Sequence, residues 1–113
     1  MKVVTQVQDG SYGKPAAGIR AHLARAVEND WVTVADAETN NSGRIPEWNV
    51  RHLERGVYQI AFDADAYFAG LGMTAAYPEI IVVFRARDDL NEFQVQVTLA
   101  PYSYTAYCGT ADS

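Results

Sequence analysis

Near the end of the chain stands Glu92-Phe93-Gln94-Val95-Gln96-Val97-Thr98-Leu99, then Ala100-Pro101, then Tyr102-Ser103-Tyr104-Thr105-Ala106-Tyr107-Cys108-Gly109-Thr110. Glu92 to Leu99 and Tyr102 to Tyr107 read as two strands parted by Ala100-Pro101. β-branched and aromatic side chains fit a pleated, half-buried surface. Seven Tyr and four Phe among 113 residues extend that preference to the whole chain.

Working back from there, Ile80-Ile81-Val82-Val83-Phe84 is apolar on both faces, so the strand Glu79 to Ala86 is expected to be covered on both sides. Arg87 to Asn91 is expected to turn into the final pair. Val57 to Asp63 is a strand with Tyr58, Ile60 and Phe62 on one face. Asp63 or Asp65 is placed to cap a short helix, Ala64 to Leu71, by accepting the free N–H groups of its first turn. Gly72 is placed to stop it. Tyr67, Phe68 and Leu71 would face the sheet.

Earlier still, Val3 to Asp9, Gly18 to Val27 and Trp31 to Ala35 are strands, the last two linked by Glu28-Asn29-Asp30. Asp9 to Pro15 is turn chemistry. Thr39-Asn40-Asn41-Ser42-Gly43-Arg44 is a polar turn that delivers Arg44 to a short strand, and Pro46 marks that strand as an edge. Trp48 to Gly56 reads as a loop. Eight strands and one short helix in a single domain, residues 1–113, predict an all-β sandwich.

The net charge is −5 and no run of Lys or Arg occurs, which disfavours nucleic acid and anionic membranes as partners. The single Cys108 excludes an internal disulfide. Met1 to Gln6 lacks the character of a signal peptide, and no apolar run reaches membrane-spanning length. The expectation is a soluble, cytoplasmic protein. No His, Cys and carboxylate cluster has metal-ligand spacing and no glycine loop fits a phosphate, so neither a metal nor another cofactor is expected.

Several short stretches, in order and spacing, resemble one family. Thr5-Gln6-Val7-Gln8-Asp9 with Gly13-Lys14-Pro15-Ala16 is similar to Thr-His-Val-Leu-Asp and Gly-Arg-Pro-Ala. Thr39-Asn40 with Gly43-Arg44 resembles Thr-Asn-x-x-Gly-Arg, and Tyr77-Pro78-Glu79 resembles Phe/Tyr-Pro-Glu. Gln94 to Tyr102 takes the place of His-Val-Pro-Leu-Leu-Leu-Ser-Pro-Tyr, and Tyr107-Cys108-Gly109-Thr110 that of Tyr-Arg-Gly-Ser. These are motifs of the transthyretin / 5-hydroxyisourate hydrolase family. The resemblance implies a two-sheet transthyretin-like β-sandwich that pairs through edge strands into dimers. It further implies a homotetramer with small-molecule sites in the channel between dimers.

The family's hydrolases, which act in purine metabolism, add water to a ring carbonyl of 5-hydroxyisourate. Their two histidines supply a group that titrates near neutrality, and an arginine supplies a fixed cation. In this chain Gln6 and Gln94 stand where the histidines would, Arg44 is retained, and Cys108 and Thr110 replace the tail arginine and serine. Tyr107 and Gly109 complete the implied substrate pocket. A glutamine holds water or a carbonyl but takes no proton at neutral pH, and losing general-base help costs about 10²- to 10⁴-fold.

Each residue also has a plainer reading. Arg44 could be a solvated turn residue, and Gln6 and Gln94 polar caps on channel-facing strands. Cys108 is a nucleophile only if a cation such as Arg44 lowers its pKa; otherwise it is an inert thiol. Thr110 could donate to a ligand or meet water. Asp112 could replace the lost base or stay solvated. His22 and His52 fall outside the motif and read as surface or structural residues. Three functions follow in order: a divergent enzyme acting on another small cyclic substrate by ring hydrolysis, rearrangement or cyclisation; a non-catalytic binder; and a residual 5-hydroxyisourate hydrolase.

Overall fold

In the computed structural model the chain is described at residues 1–50, 52–87, 89 and 91–110. Its elements are β1 (Lys2–Asp9), β2 (Lys14–Pro15), β3 (Arg20–Val27), β4 (Asp30–Glu38), β5 (Arg44–Ile45), β6 (Gly56–Asp63), α1 (Ala64–Ala69), β7 (Glu79–Ala86), β8 (Glu92–Ala100) and β9 (Ser103–Thr110). The strands form two sheets. The first runs β2-β1-β8-β9, with β5 also pairing with β1, and the second runs β4-β3-β6-β7. β1 and β8 are parallel, while the other pairs are antiparallel.

Period-two alternation builds the sandwich. Val3, Val7, Val95, Val97 and Leu99 turn inward from the first sheet. Leu23, Tyr58, Ile60, Phe62, Ile80, Val82 and Phe84 meet them from the second. Burying each large side chain is worth about 1.5–3 kcal/mol. Phe68 of α1 is fully buried, and Tyr67 and Leu71 pack beside it. Trp48, in the loop after β5, is buried and donates from Nε1 to Thr5 Oγ1 at 3.2 Å. That contact holds the loop against β1.

All eight expected strands are present, as is the two-sheet sandwich. A ninth, the two-residue β2, lies inside what the sequence presents as turn; the Asp9–Lys14 loop is tight enough to bring Lys14–Pro15 back onto β1. Asp9 shapes that loop by accepting from the Ser11 and Tyr12 amides at 2.9 and 3.1 Å. α1 ends at Ala69, two residues short of the expected Leu71. Gly72 is nonetheless its stop: with φ +72° it donates to Ala69, and Met73 donates to Phe68, the two bonds of a left-handed helix terminator. Asp63 caps the start, accepting from Ala66.

The expectation that β7 is covered on both sides is not met within the chain. Ile81 and Val83 are 43% and 56% exposed, because the fold has two layers and none of the described elements packs over that face of β7. The turn expected over Arg87 to Asn91 includes Asp88 and Leu90, which lie outside the described residues, as does Asp112.

Candidate functional site

The first sheet turns its outward face away from the core, and pairing register fixes what stands there. Residues directly opposite each other across a ladder share a face. Gln6 is opposite Arg44 on one side and Gln96 on the other, and Gln96 is opposite Tyr107. Arg44, Gln6, Gln96 and Tyr107 therefore form one row across β5, β1, β8 and β9. The neighbouring row is Val4, Gln94 and Gly109. With strands about 4.8 Å apart, the four-residue row spans roughly 14 Å and its three-residue neighbour roughly 10 Å.

The turn before β5 is what brings Arg44 into the row. Asn40 Oδ1 accepts from the Ser42 and Arg44 amides at 2.9 and 3.0 Å, and Gly43 sits at φ +73°. Gly43 also donates its φ to a close approach: a side chain there would collide with the Val7 carbonyl. Next in the first sheet, Gly109 lets the Tyr107 ring lie over it, since an added Cβ would meet that ring and its hydroxyl. Tyr107 thus leans toward the row that holds Gln94.

Two expected site residues fall on the opposite side. Cys108 is opposite the buried Val95, and Thr110 is opposite Phe93. Both therefore turn toward the inner side of the edge strand, away from Arg44. The sequence expectation ended this strand at Tyr107; β9 continues to Thr110, so alternation separates 107 and 109 from 108 and 110. Burial pushes the Cys108 thiol up rather than down, and among the described residues no cation opposes that shift to favour a thiolate. The conditional nucleophile reading of Cys108 is not supported by this geometry.

The histidines lie elsewhere, as expected. His22 stands on the outer face of the second sheet and pairs with Asp36 at 2.5 Å. It borders a groove of about 300 Å³ with Asp63, Asp65 and Glu79. His52 lies in the loop before β6. Among the described residues no grouping of His, Cys, Asp and Glu suits a metal ion, and no helix is long and apolar enough to cross a membrane. Sequence reasoning missed Gln96 and Gln8 as members of the outer face. The signal was available in the spacing of Gln6 with Gln8 and Gln94 with Gln96, since residues two apart on a strand share a side.

Fold and face together define a β-sandwich of the transthyretin type. The HIUase/Transthyretin family model matches residues 3–109. The 5-hydroxyisourate hydrolase of Halalkalibacterium halodurans is 38% identical over 116 residues, covering 96% of this chain and 98% of the relative. The structure of Klebsiella pneumoniae 5-hydroxyisourate hydrolase matches with a TM-score of 0.85 and 28% identity, over 97% of this chain and 100% of that one. Sea bream transthyretin in complex with thyroxine matches with a TM-score of 0.91 at 24% identity, over 98% and 97%, and shows the shared fold. The chain belongs to the HIUase/transthyretin family.

Proposed function

We propose that this protein is a divergent 5-hydroxyisourate hydrolase-like enzyme. It acts on a small cyclic substrate by ring hydrolysis, rearrangement or cyclisation, with Arg44 as its electrostatic anchor. The observation that carries this reading is the in-register row of Arg44, Gln6, Gln96 and Tyr107. A guanidinium at one end attracts an anionic group and the oxyanion that forms beside it. Glutamine amides orient water or a carbonyl, and positioning of this kind accelerates reactions without a titrating base. Gln6 and Gln94 stand where the family hydrolases carry histidine, so the ancestral proton transfer is lost while the anchor remains.

In this reading the protein is a cytoplasmic homotetramer, and a second pair of chains closes the open face into a channel. A non-catalytic binder is the second reading. It is favoured by the absence of any histidine from this face, and by the thyroxine complex of the sea bream relative.

Decay of freshly generated 5-hydroxyisourate, followed by ultraviolet absorbance, tests the proposal. Wild-type protein is expected to stay near the spontaneous rate. The double substitution Gln6→His with Gln94→His is expected to raise turnover by about 10²-fold or more, within the range a general base contributes. Adding Arg44→Ala to that double variant should remove the gain. Fast wild-type turnover would return the protein to the ancestral reaction. A double variant that stays inactive would remove the face from the chemistry and leave the binder reading.

A further inference from the structure

We infer that Gln96 is a specificity-determining residue of this face: paired with Gln6, it reads the amide edge of a cyclic imide or lactam whose carboxylate lies against Arg44. The inference rests on the face being the ligand site, as proposed above, and adds what that site selects.

Composition on the two outer faces differs sharply. Four of the chain's five glutamines, Gln6, Gln8, Gln94 and Gln96, stand on the outer face of the first sheet. Of the chain's 14 Asp and Glu, the described strands of this sheet turn just one outward: Glu92, at the margin opposite Lys2. The second sheet's outer face is dressed as a solvated face of an acidic protein usually is, with Arg20, His22, Asp36, Glu38, Asp63 and Glu79. Mere solubility would be served equally well by charge on both faces. Lys2 is set against Glu92 at that margin, which leaves Arg44 as the cation beside the glutamines. An amide-rich face of this kind is matched to neutral hydrogen-bonding groups and a single anion.

Geometry narrows the ligand further. A glutamine amide offers two donors and an acceptor oxygen. It pairs in bidentate fashion with an edge that alternates N–H and acceptor, as it does with adenine. Gln6 and Gln96 are neighbours at the strand spacing of about 4.8 Å, so two amides meet one ring edge. Arg44 stands one strand beyond Gln6, with a fork that suits a carboxylate. Tyr107 stands one strand beyond Gln96 and offers a ring face for stacking. A site that hydrogen-bonds its ligand discriminates strongly against an analogue lacking those groups, because its own amides are then left unpaired.

Isothermal titration with three probes tests this: orotate, a carboxylated cyclic imide; benzoate, a planar carboxylate without an amide edge; and uracil, an imide without a carboxylate. Wild-type protein is expected to bind orotate at least about tenfold more tightly than either of the others. Gln96→Leu should weaken orotate about tenfold and leave benzoate unchanged, removing the preference. Gln96 is exposed, so the change should leave thermal unfolding in place; Gln96→Thr, which keeps a strand-compatible side chain, is the companion variant. Arg44→Ala should weaken orotate and benzoate together. An orotate preference that survives both Gln96 variants overturns the inference alone. Wild-type protein with no preference for orotate also overturns it. Binding that survives Arg44→Ala places the ligand off this face, and the underlying site reading fails with it.

Discussion

At position 109 a missing side chain decides where a neighbouring ring lies. A Cβ at Gly109 would meet the Tyr107 hydroxyl and the edge of its ring, the far end of a side chain that is 53% exposed. The ring is free to swing aside, so the cost to folding is small, while the loss to the outer face is large. Gly109→Ala is expected to change stability by no more than about 0.5 kcal/mol, the range of ordinary surface substitutions. The same variant should weaken any aromatic ligand of the face to the extent that Tyr107→Ala does. Denaturant unfolding and ligand titration on the two variants check both halves. A large stability loss would mean that the Gly109 backbone itself, rather than the Tyr107 ring, needs the space.

At the scale of elements, the segment from Thr39 to β5 places the anchor, and its constraints are stiffer. Thr39 is buried; its Oγ1 accepts from the Ile19 amide at 2.9 Å and donates to the Ala16 carbonyl at 2.8 Å. One hydroxyl thus ties the strand after the first turn to the end of β4. Thr39→Val keeps the shape but strands a buried N–H and a buried carbonyl, an expected loss of about 1–3 kcal/mol. Gly43→Ala meets backbone, the Val7 carbonyl and the Ala16 amide, at a left-handed φ of +73°. Its neighbours have no flexible end to move, so it is expected to cost about 1–3 kcal/mol and to shift Arg44 out of its row. Thermal unfolding checks the stability losses, and benzoate affinity checks the displacement in Gly43→Ala. A Gly43→Ala protein with wild-type stability and affinity would show that the turn tolerates another path. Much of this segment was legible in sequence, because Asn, Gly and Pro carry their turn geometry with them. β2 was not, since a two-residue bridge depends on where a loop folds back. The division of the tail at Cys108 was not legible either. Alternation could be applied only once β9 was known to reach Thr110 and to pair Cys108 with Val95. The apolar run of β7 misled for a related reason: apolar residues on both sides of a strand state what could be covered, and the single chain supplies a cover for one.

Across the whole molecule, three of the seven tyrosines tie one part of the sandwich to another, and all three resist ionisation. Tyr67 of α1 donates to Asp9 at the end of β1, at 2.6 Å. Burial, then the bond to Asp9 and its negative charge, hold the Tyr67 phenol well above the usual range. Tyr77 donates to the carbonyls of Ala100 and Ser103, so it braces the β8–β9 turn. Burial raises it above the ordinary phenol range. Tyr58 donates to the Glu54 carbonyl at 2.8 Å, and burial raises it against the opposing pull of Arg25 over its ring. Below the ordinary phenol value of about 10, folded and unfolded chains both hold these protons, and the full contribution to stability is present. Above it the unfolded chain releases protons that the folded chain retains. Rising pH therefore favours unfolding, and the contribution is lost progressively as pH climbs through the folded values. The denaturant midpoint should hold up to about pH 9 and fall steeply by about pH 11. Phenolate absorbance from Tyr58, Tyr67 and Tyr77 should appear at higher pH in folded protein than when denaturant is added first. Tyr67→Phe keeps the ring in the core and removes one late-titrating phenol, so its stability should fall less steeply with alkaline pH than that of wild type. An equal slope in the two proteins would exclude Tyr67 from the alkaline transition and leave Tyr58 and Tyr77 to account for it.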